Sequence, residues 1–321
     1  MKRRDLLGLG AAALCVPAIR GFAAEVGPPI RILVGLPAGS ATDLAARSLA
    51  GCLKDDLGRP VIVENHPGAS GRIAAELLKR SPADGTTILI APMGTTIILP
   101  LVFANVSYDP WKDFAHISRI ATVRLAFAVA PETPVRTLKE YFDWARANAG
   151  RATFGSAGTG TPPHLLGLMV STAAGVELAH VPYKGGPPLV TDMAGGHIPA
   201  GAGTITDFAE QHRAGKLRIL AIGGGGRSIL VPEVPTFREA GYDIDGITWL
   251  GVHAPAGIPK AIVERLAAAL KAAVEKVEVR QQFVKLGMEP EGTGPERFLQ
   301  LMHEDRRKWE PVIRRFGIRE N

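Results

Sequence analysis

Residues 30–54, IRILVGLPAGSATDLAARSLAGCLK, predict a strand, a loop of small residues and a helix in direct succession. The apolar run at the start is typical of a strand that is covered on both faces in a parallel sheet. Ser40 and Asp43 fit a capping box, so the helix should begin directly after Ser40. The loop carries little side-chain bulk, and free backbone N–H groups at a helix N-terminus favour an anion. We therefore expect an anion site at the end of this strand.

Two further small-residue loops follow predicted strands. Residues 155–164, GSAGTGTPPH, come after a strand around Phe154, and Thr161 followed by Pro162 predicts another helix start. Residues 92–96, PMGTT, follow a predicted strand at 87–91. In open α/β sheets, ligands bind outside the carboxyl ends of the strands. The sequence therefore predicts a binding site made from loops in both halves of the chain.

The N-terminus has the features of an export signal. It has a basic start, an apolar segment at residues 6–19 and small residues at a cleavage region. Arg3-Arg4 indicates the twin-arginine route, and a general secretory signal is the alternative. Cleavage is expected after Ala23 or Ala24, and no later segment has 18 uninterrupted apolar residues. We therefore expect the mature protein in the periplasm.

Composition argues against a nucleic-acid partner and against an intramolecular disulfide. The chain has 321 residues, of which 46% are hydrophobic and 21% charged, and this size suggests roughly two domains. Removal of the signal takes away four basic residues and one acidic residue, so the formal charge falls from +6 to +3. Weak basicity and few aromatic residues argue against nucleic-acid binding. Only Cys52 remains after cleavage, so no intramolecular disulfide is expected.

The remaining pattern alternates strands and helices. Residues 106–119 are irregular, and the next strand is predicted at 125–130, where the first crossing between domains is placed. Residues 223–226 are the candidate return crossing. The other predicted strands and helices are a strand at 61–65, a strand at 216–223, a strand around 249–251, a helix from 259 to about 277 and a helix from 295 to about 316.

Enzymatic motifs are missing or incomplete. The glycines of residues 155–160 have the reverse of the dinucleotide spacing, and no Gly-Lys-Ser/Thr is present. The eight histidines show no spacing typical of a zinc site, and no pair of carboxylates is placed for acid/base chemistry. No metal or cofactor is therefore expected. A hydrolase that pairs Ser156 with His164 is kept as the alternative from another functional class.

The chain resembles the tripartite tricarboxylate transporter receptor family, the Bug-type extracytoplasmic solute receptors, over its whole mature length. The blocks that carry the resemblance are LPAGSATDLAAR (36–47), VIVENHPGASG (61–71), ADGTTILIA (83–91), YDPWKDF (108–114), FGSAGTGTPPHL (154–165), HVPYKGG (180–186), AGKLRILA (214–221) and APAGIP (254–259).

This resemblance implies an α/β fold of the type II periplasmic binding protein class, a Venus flytrap of two lobes with a ligand cleft between them. Lobe 1 would comprise residues 25–125 and 226–321, and lobe 2 residues 126–225. Backbone N–H groups and hydroxyls of the two loops would hold a ligand carboxylate, with ordered water. Together, the loops and the resemblance indicate as ligand-binding residues Leu36, Pro37, Ala38, Gly39, Ser40, Asp43, Gly94, Thr95, Ser156, Gly158, Thr159, Thr161, His164 and Thr204.

One departure from the family pattern bears on the ligand. Ala202-Gly203-Thr204 replaces a typical Phe-Asp-Asn, which should enlarge the pocket and remove a group that could bind an amine. The resemblance therefore implies a receptor for a mono- or dicarboxylic acid, aliphatic or aromatic, rather than for an amino acid. Such a receptor is expected to be a monomer that delivers its ligand to membrane permease subunits. A periplasmic sensor that feeds a signalling system is the alternative with the same fold.

Overall fold

The computed structural model describes residues 27–318, so the predicted export signal lies outside the described residues. The strands are β1 (Ile30–Val34), β2 (Val61–Asn65), β3 (Thr87–Pro92), β4 (Phe114–Val129), β5 (Thr153–Ser156), β6 (Ala179–Pro182), β7 (Ala200–Thr204), β8 (Arg218–Ile222), β9 (Ile247–Pro255) and β10 (Met288–Pro290). The helices are α1 (Ala41–Leu57), α2 (Arg72–Lys79), α3 (Leu99–Val102), α4 (Pro110–Asp113), α5 (Leu138–Ala147), α6 (Pro162–Ala174), α7 (Gly186–Ala194), α8 (Ile205–Arg213), α9 (Lys260–Glu275), α10 (Val277–Lys285) and α11 (Pro295–Arg315). Within residues 27–318, every helix is too short or too polar to cross a membrane.

One hydrogen-bonded sheet connects all the strands, in the order β2-β1-β3-β9-β4-β7-β5-β6, with β8 and β10 also paired to β4. β1 pairs in parallel with β2 and β3, and β5 pairs in parallel with β6 and β7. β9 is antiparallel to β3 and to β4, and β4 is antiparallel to β7. β4 therefore runs in the direction of β1 and β3 and against β5. As a result, the carboxyl ends of the two parallel groups point toward each other.

Strand β4 belongs to both halves of this sheet. Residues 114–124 pair with β9, and residues 125–129 pair with β7. Ile117 and Ile120 of its first part are buried with α1 and α9, whereas Leu125 and Phe127 of its second part are buried with α5 and α6. A single strand thus connects two hydrophobic cores.

The sequence prediction for β4 was wrong in its first part. Residues 114–119 were expected to be irregular, but they are strand. The pairing with β9 shifts register between His116 and Ser118 and again between Arg119 and Ala121, so the apolar alternation is interrupted. The predicted helix at 259–277 corresponds to α9, which ends at Glu275, and the sequence did not predict α10, which follows directly. β1, β2, α1 and α11 lie where the sequence predicts them.

The backbone is closely bonded where β4 passes from one half to the other. Leu125 N donates to Gly246 O at 2.8 Å, and Gly223 N donates to Leu125 O at 2.8 Å. Arg124 Nη1 also donates to Gly223 O at 3.0 Å, and the same guanidinium pairs with Glu289 of β10. A Cβ atom built on Gly223 would lie 1.8 Å from Gly246 O. Only glycine at position 223 permits this approach of two backbones.

Replacement of Gly223 by alanine should therefore destabilise the protein. Because the atom in the way is backbone, relief requires the crossing segments to move, and overpacking of this kind costs about 2 kcal/mol. We expect Gly223→Ala to lower the free energy of unfolding by about that amount in urea titrations followed by circular dichroism. Gly225→Ala is the matched control, because a Cβ at Gly225 meets nothing within 4 Å. Equal stability of the two variants would contradict the packing argument.

Candidate functional site

The loop after β1 is held in shape by its own capping residues. Ser40 is the N-cap of α1, and its hydroxyl accepts from Asp43 N at 3.3 Å. The Asp43 carboxylate accepts from Gly39 N at 2.8 Å, while Ser40 N donates to Pro37 O at 3.1 Å. The predicted capping box is therefore shifted by one residue, because its reciprocal bond reaches Gly39 N instead of Ser40 N. The consequence is a rigid loop at the carboxyl end of β1.

Asp43 is buried, and its carboxylate is hydrogen-bonded to groups of the protein. In addition to Gly39 N, its carboxylate accepts from Asn65 Nδ2 at 2.9 Å and from Arg47 Nε at 3.0 Å. Burial raises the pKa of the Asp43 carboxyl, but the bonds from Arg47, Gly39 and Asn65 outweigh burial, so the pKa lies below its usual range. Asp43 thus shapes the loop, and its charge is already compensated by Arg47.

Several donors of this loop remain open. Among the described residues, the N–H groups of Ala38, Ala41 and Thr42 have no hydrogen-bond partner. Ala41 and Thr42 form the first turn of α1, where N–H groups have no intrahelical acceptor and the helix dipole is positive. The arrangement suits an anion, as the sequence predicts.

The segment after β3 connects this edge to the other half. Residues Gly94–Ile98 form a π-helical turn, and the buried hydroxyl of Thr95 donates to Ser70 O at 3.1 Å. A Cβ built on Gly94 would lie 4.0 Å from Pro162 Cδ at the start of α6. Gly94 and Thr95 therefore lie at the junction of the two predicted loops, although the Thr95 hydroxyl is used within the protein.

The loop after β5 differs from the expectation at its helix. Thr161 is the N-cap of α6, and its hydroxyl donates to Gly158 O at 2.9 Å and accepts from His164 N at 3.4 Å. Pro162 and Pro163 have no N–H, so the first turn of α6 offers no free donor. The open N–H groups within the described loop are instead those of Ala157, Thr159 and Thr161.

Ser156 is buried and bonded to a histidine that the sequence analysis did not select. Its hydroxyl lies 2.8 Å from His180 Nε2 and 3.3 Å from Gly158 O. His164 instead accepts from Gly160 N at 3.0 Å through Nδ1. The predicted hydrolase pairing of Ser156 with His164 is therefore wrong. Pro182 of β6 pairs with Ser156 of β5, and this neighbouring strand supplies the real partner, His180.

The two imidazoles stack on each other. The ring centroids of His164 and His180 are 3.9 Å apart, with 25° between the planes. Burial lowers the pKa of His164 to about 4, with a smaller contribution from His180, and burial also lowers the pKa of His180 to about 4. His164 Nδ1 can accept the hydrogen bond from Gly160 N only if Nδ1 carries no proton. Both rings are neutral at pH 7, so they add no positive charge to the site.

Thr204 lies at the end of β7 and caps α8. Its N–H and hydroxyl donate to Asp207 Oδ2 at 2.7 and 2.8 Å, in a capping box. The Thr-x-x-Asp spacing of residues 204–207 is the sequence signal for this cap. Thr204 faces Leu125 in the β4–β7 register, at the crossing between the two halves.

The expected enlargement of the pocket at Ala202-Gly203 is wrong. Ala202 is fully buried, and a Cβ on Gly203 would lie 2.8 Å from the ring of Phe208. The volume left by small residues in β7 is thus filled by a side chain of α8. These two residues belong to the packed core and do not open the cleft.

Within residues 27–318, no group of three or more histidine, cysteine, aspartate or glutamate side chains could hold a metal ion.

Comparisons with known proteins agree with this architecture. Residues 45–318 match the family described as "Tripartite tricarboxylate transporter family receptor". The chain is 30% identical over 293 residues to protein BugT of Bordetella pertussis, with 91% of this chain and 90% of BugT covered. R. palustris Rpa4515 with adipate has 30% identity and a TM-score of 0.76, with 90% of this chain and 97% of that chain covered. MatC from Rhodopseudomonas palustris with bound malate has 28% identity and a TM-score of 0.73, with 89% and 99% covered.

Acid should destabilise the protein through its neutral histidines. The pKa values of His116, His164 and His180 are lowered to about 4, whereas such rings in the unfolded chain titrate near 6.5. The unfolded state therefore binds more protons between these values. We expect the free energy of unfolding to be constant above about pH 6.5 and to fall from there to about pH 4. Urea titrations at a series of pH values measure this slope.

His164→Asn tests the contribution of the loop histidine. The asparagine Oδ1 can accept the Gly160 N–H as Nδ1 does, but the side chain does not titrate. The variant should therefore show a shallower decrease between pH 6.5 and 4 than the unmodified protein. His197→Asn is the control, because His197 is exposed and should leave the slope unchanged. A slope in His164→Asn equal to that of the unmodified protein would contradict the prediction.

Proposed function

Because the chain belongs to the tripartite tricarboxylate transporter receptor family, we propose that it binds a small mono- or dicarboxylic acid, aliphatic or aromatic, between its two lobes and delivers it to the permease subunits of a tripartite transporter. The family consists of periplasmic solute-binding receptors and not enzymes. The fold is that of the two-lobed periplasmic binding proteins, as similarity to a periplasmic transporter with a TM-score of 0.77 and 33% identity indicates.

The observation that carries the proposal is the set of open N–H groups on loops from both parallel groups of strands. Ala41 and Thr42 supply donors on the first loop, and Ala157, Thr159 and Thr161 supply donors on the second. Hydrogen bonds to a charged acceptor contribute about 1.5–3 kcal/mol each. Several such bonds, less the free energy of closing the cleft, are compatible with micromolar affinity, about −8 kcal/mol.

The carboxylates near these loops favour an acid over an amino acid. Asp43 is compensated by Arg47, and Asp207 is occupied by the N–H and hydroxyl of Thr204. Asp43 therefore has no uncompensated charge for a ligand ammonium group, and Oδ2 of Asp207 already accepts two hydrogen bonds within the protein. Solved relatives are described with malate and with adipate, which are dicarboxylates without an amine. These facts support a carboxylate ligand.

The division into lobes is part of the proposal. Lobe 1 would comprise residues 25–125 and 226–321, and lobe 2 residues 126–225. The change of strand partner at Leu125 and the close approach of Gly223 to Gly246 support hinges at these two places. A ligand shifts the balance between open and closed forms only if it binds the closed form better. Contact with loops of both lobes provides that difference.

We also propose export through the signal at residues 1–24, with cleavage after Ala23 or Ala24. The monomeric receptor would then act in the periplasm without nucleic acid, metal or cofactor.

A thermal-shift panel tests the ligand class. The chain from Ala24 onward is heated with mono-, di- and tricarboxylates, aromatic acids, amino acids and neutral amide analogues. A ligand at about 100 times its dissociation constant stabilises the native state by about 2.7 kcal/mol, which raises Tm by several degrees. We expect shifts with carboxylic acids that disappear when the carboxylate becomes an amide. Shifts with free amino acids or neutral compounds alone would contradict the proposal.

Ala41→Pro should weaken binding without loss of stability. Ala41 is the first residue of α1, where proline is well tolerated, and Ser40 before it is extended with φ −65° and ψ 157°. The substitution removes one open N–H, so we expect roughly a tenfold higher Kd in isothermal titration calorimetry with the best acid of the panel.

Val277→Pro is the matched control for this substitution. Val277 is the first residue of α10, it is exposed, and Lys276 before it is also extended with φ −64° and ψ 138°. Its Kd should equal that of the unmodified protein. Unchanged affinity in Ala41→Pro would exclude the start of α1 from the ligand site.

A further inference from the structure

Four consecutive residues between β2 and α2 have positive φ angles. The φ angles are 133° for Gly68, 45° for Ala69, 55° for Ser70 and 91° for Gly71. Glycine enters this region freely, whereas a residue with a Cβ atom is strained there. Ala69 and Ser70 are the two non-glycine residues with positive φ in the described part of the chain. Such strain persists only where the surrounding structure imposes it.

The surroundings of this turn are the ends of β1 and β3. Thr95 Oγ1 donates to Ser70 O at 3.1 Å, and Gly71 N donates to Gly68 O at 2.9 Å. A Cβ built on Gly35, directly after β1, would lie 2.6 Å from the Cα of Gly71. The turn is thus fixed between the two lobe 1 loops that the sequence predicts to bind ligand.

The same geometry leaves Ser70 with unused donors. Ser70 is exposed, and neither its hydroxyl nor its N–H has a hydrogen-bond partner among residues 27–318. Its carbonyl is bonded to Thr95, the neighbour of Gly94, which approaches Pro162 of α6. Ser70 therefore lies on the edge of lobe 1 where the carboxyl ends of β1 and β3 point toward lobe 2. Because the backbone of Ser70 is held by Thr95, its N–H and hydroxyl are presented at this edge with little reorganisation of the backbone.

We propose that Ser70 is a ligand-binding residue whose hydroxyl donates a hydrogen bond to an oxygen of the bound carboxylic acid. The turn holds Ser70 in place for this contact. The strained φ angles of Ala69 and Ser70 result from holding Ser70 in this position. The proposal rests on the proposed function and adds a third loop to the site. The acid therefore contacts donors after β1, after β2 and after β5.

Three single variants separate the effect of the Ser70 hydroxyl on ligand affinity from the effect of the backbone strain on stability. Ser70→Ala removes the hydroxyl and keeps the strain, Ser70→Gly removes both, and Ala69→Gly removes only strain. Their Tm without ligand, and their Kd for succinate, malate, glutarate and adipate, are measured by calorimetry beside the unmodified protein. We expect Ala69→Gly and Ser70→Gly to raise Tm by about 2 °C or more, and Ser70→Ala to leave it unchanged. For the dicarboxylate that binds best, Ser70→Ala and Ser70→Gly should raise Kd about tenfold.

Ala69→Gly is the control for affinity, and its Kd should stay within twofold of the unmodified protein. Unchanged Kd in both Ser70 variants would overturn the inference and leave the proposed function standing. An increase of Kd in Ala69→Gly as large as that in Ser70→Ala would also overturn it, because the shape of the turn and not the hydroxyl would then govern binding. An unmodified protein that binds no acid, in this set or in the thermal panel, would overturn the proposed function and the Ser70 contact together.

Discussion

The unbroken sixteen-residue strand β4 carries backbone hydrogen bonds for both halves of the sheet. Its first part is bonded to β9 and its second part to β7 and β8, so it contributes to both cores. At the change of partner, the N–H of Leu125 is bonded to Gly246 and its C=O to Gly223. Close backbone approach at Gly223 requires the absence of a Cβ atom. This one strand therefore also sets the directions in which the binding loops point.

The candidate site uses backbone dipoles where many anion sites use charged side chains. The carboxylate of Asp43 is compensated by Arg47, and the pKa values of His164 and His180 are lowered to about 4 by burial. On these two loops, the open donors are N–H groups at the start of α1 and in the loop after β5. Dipoles and hydrogen bonds hold an anion without a full counter-charge. Such binding suits a receptor that must release its ligand.

Much of the fold near the first loop could be predicted from local pattern. β1, the cap at Ser40 and α1 depend on residues a few positions apart, so periodicity and capping rules apply directly. The first part of β4 could not be predicted, because its bulged pairing with the distant β9 hides the alternation. The partner of Ser156 could not be predicted either, because it also depends on the pairing of two strands that are apart in the sequence. His180 reaches Ser156 only because β6 pairs with β5.

By itself, the sequence determined the strand–loop–helix order, the small-residue loops at strand ends and the membership of the receptor family, because these depend on neighbouring residues and on ordered motifs. The tertiary structure alone decided which donors remain open. Pro162 and Pro163 remove the donors at the start of α6, Phe208 fills the space beside Gly203, and Thr95 fixes the turn that contains Ser70. Each of these outcomes depends on contacts or on a count of hydrogen-bond partners in three dimensions, and local pattern carries no information about either.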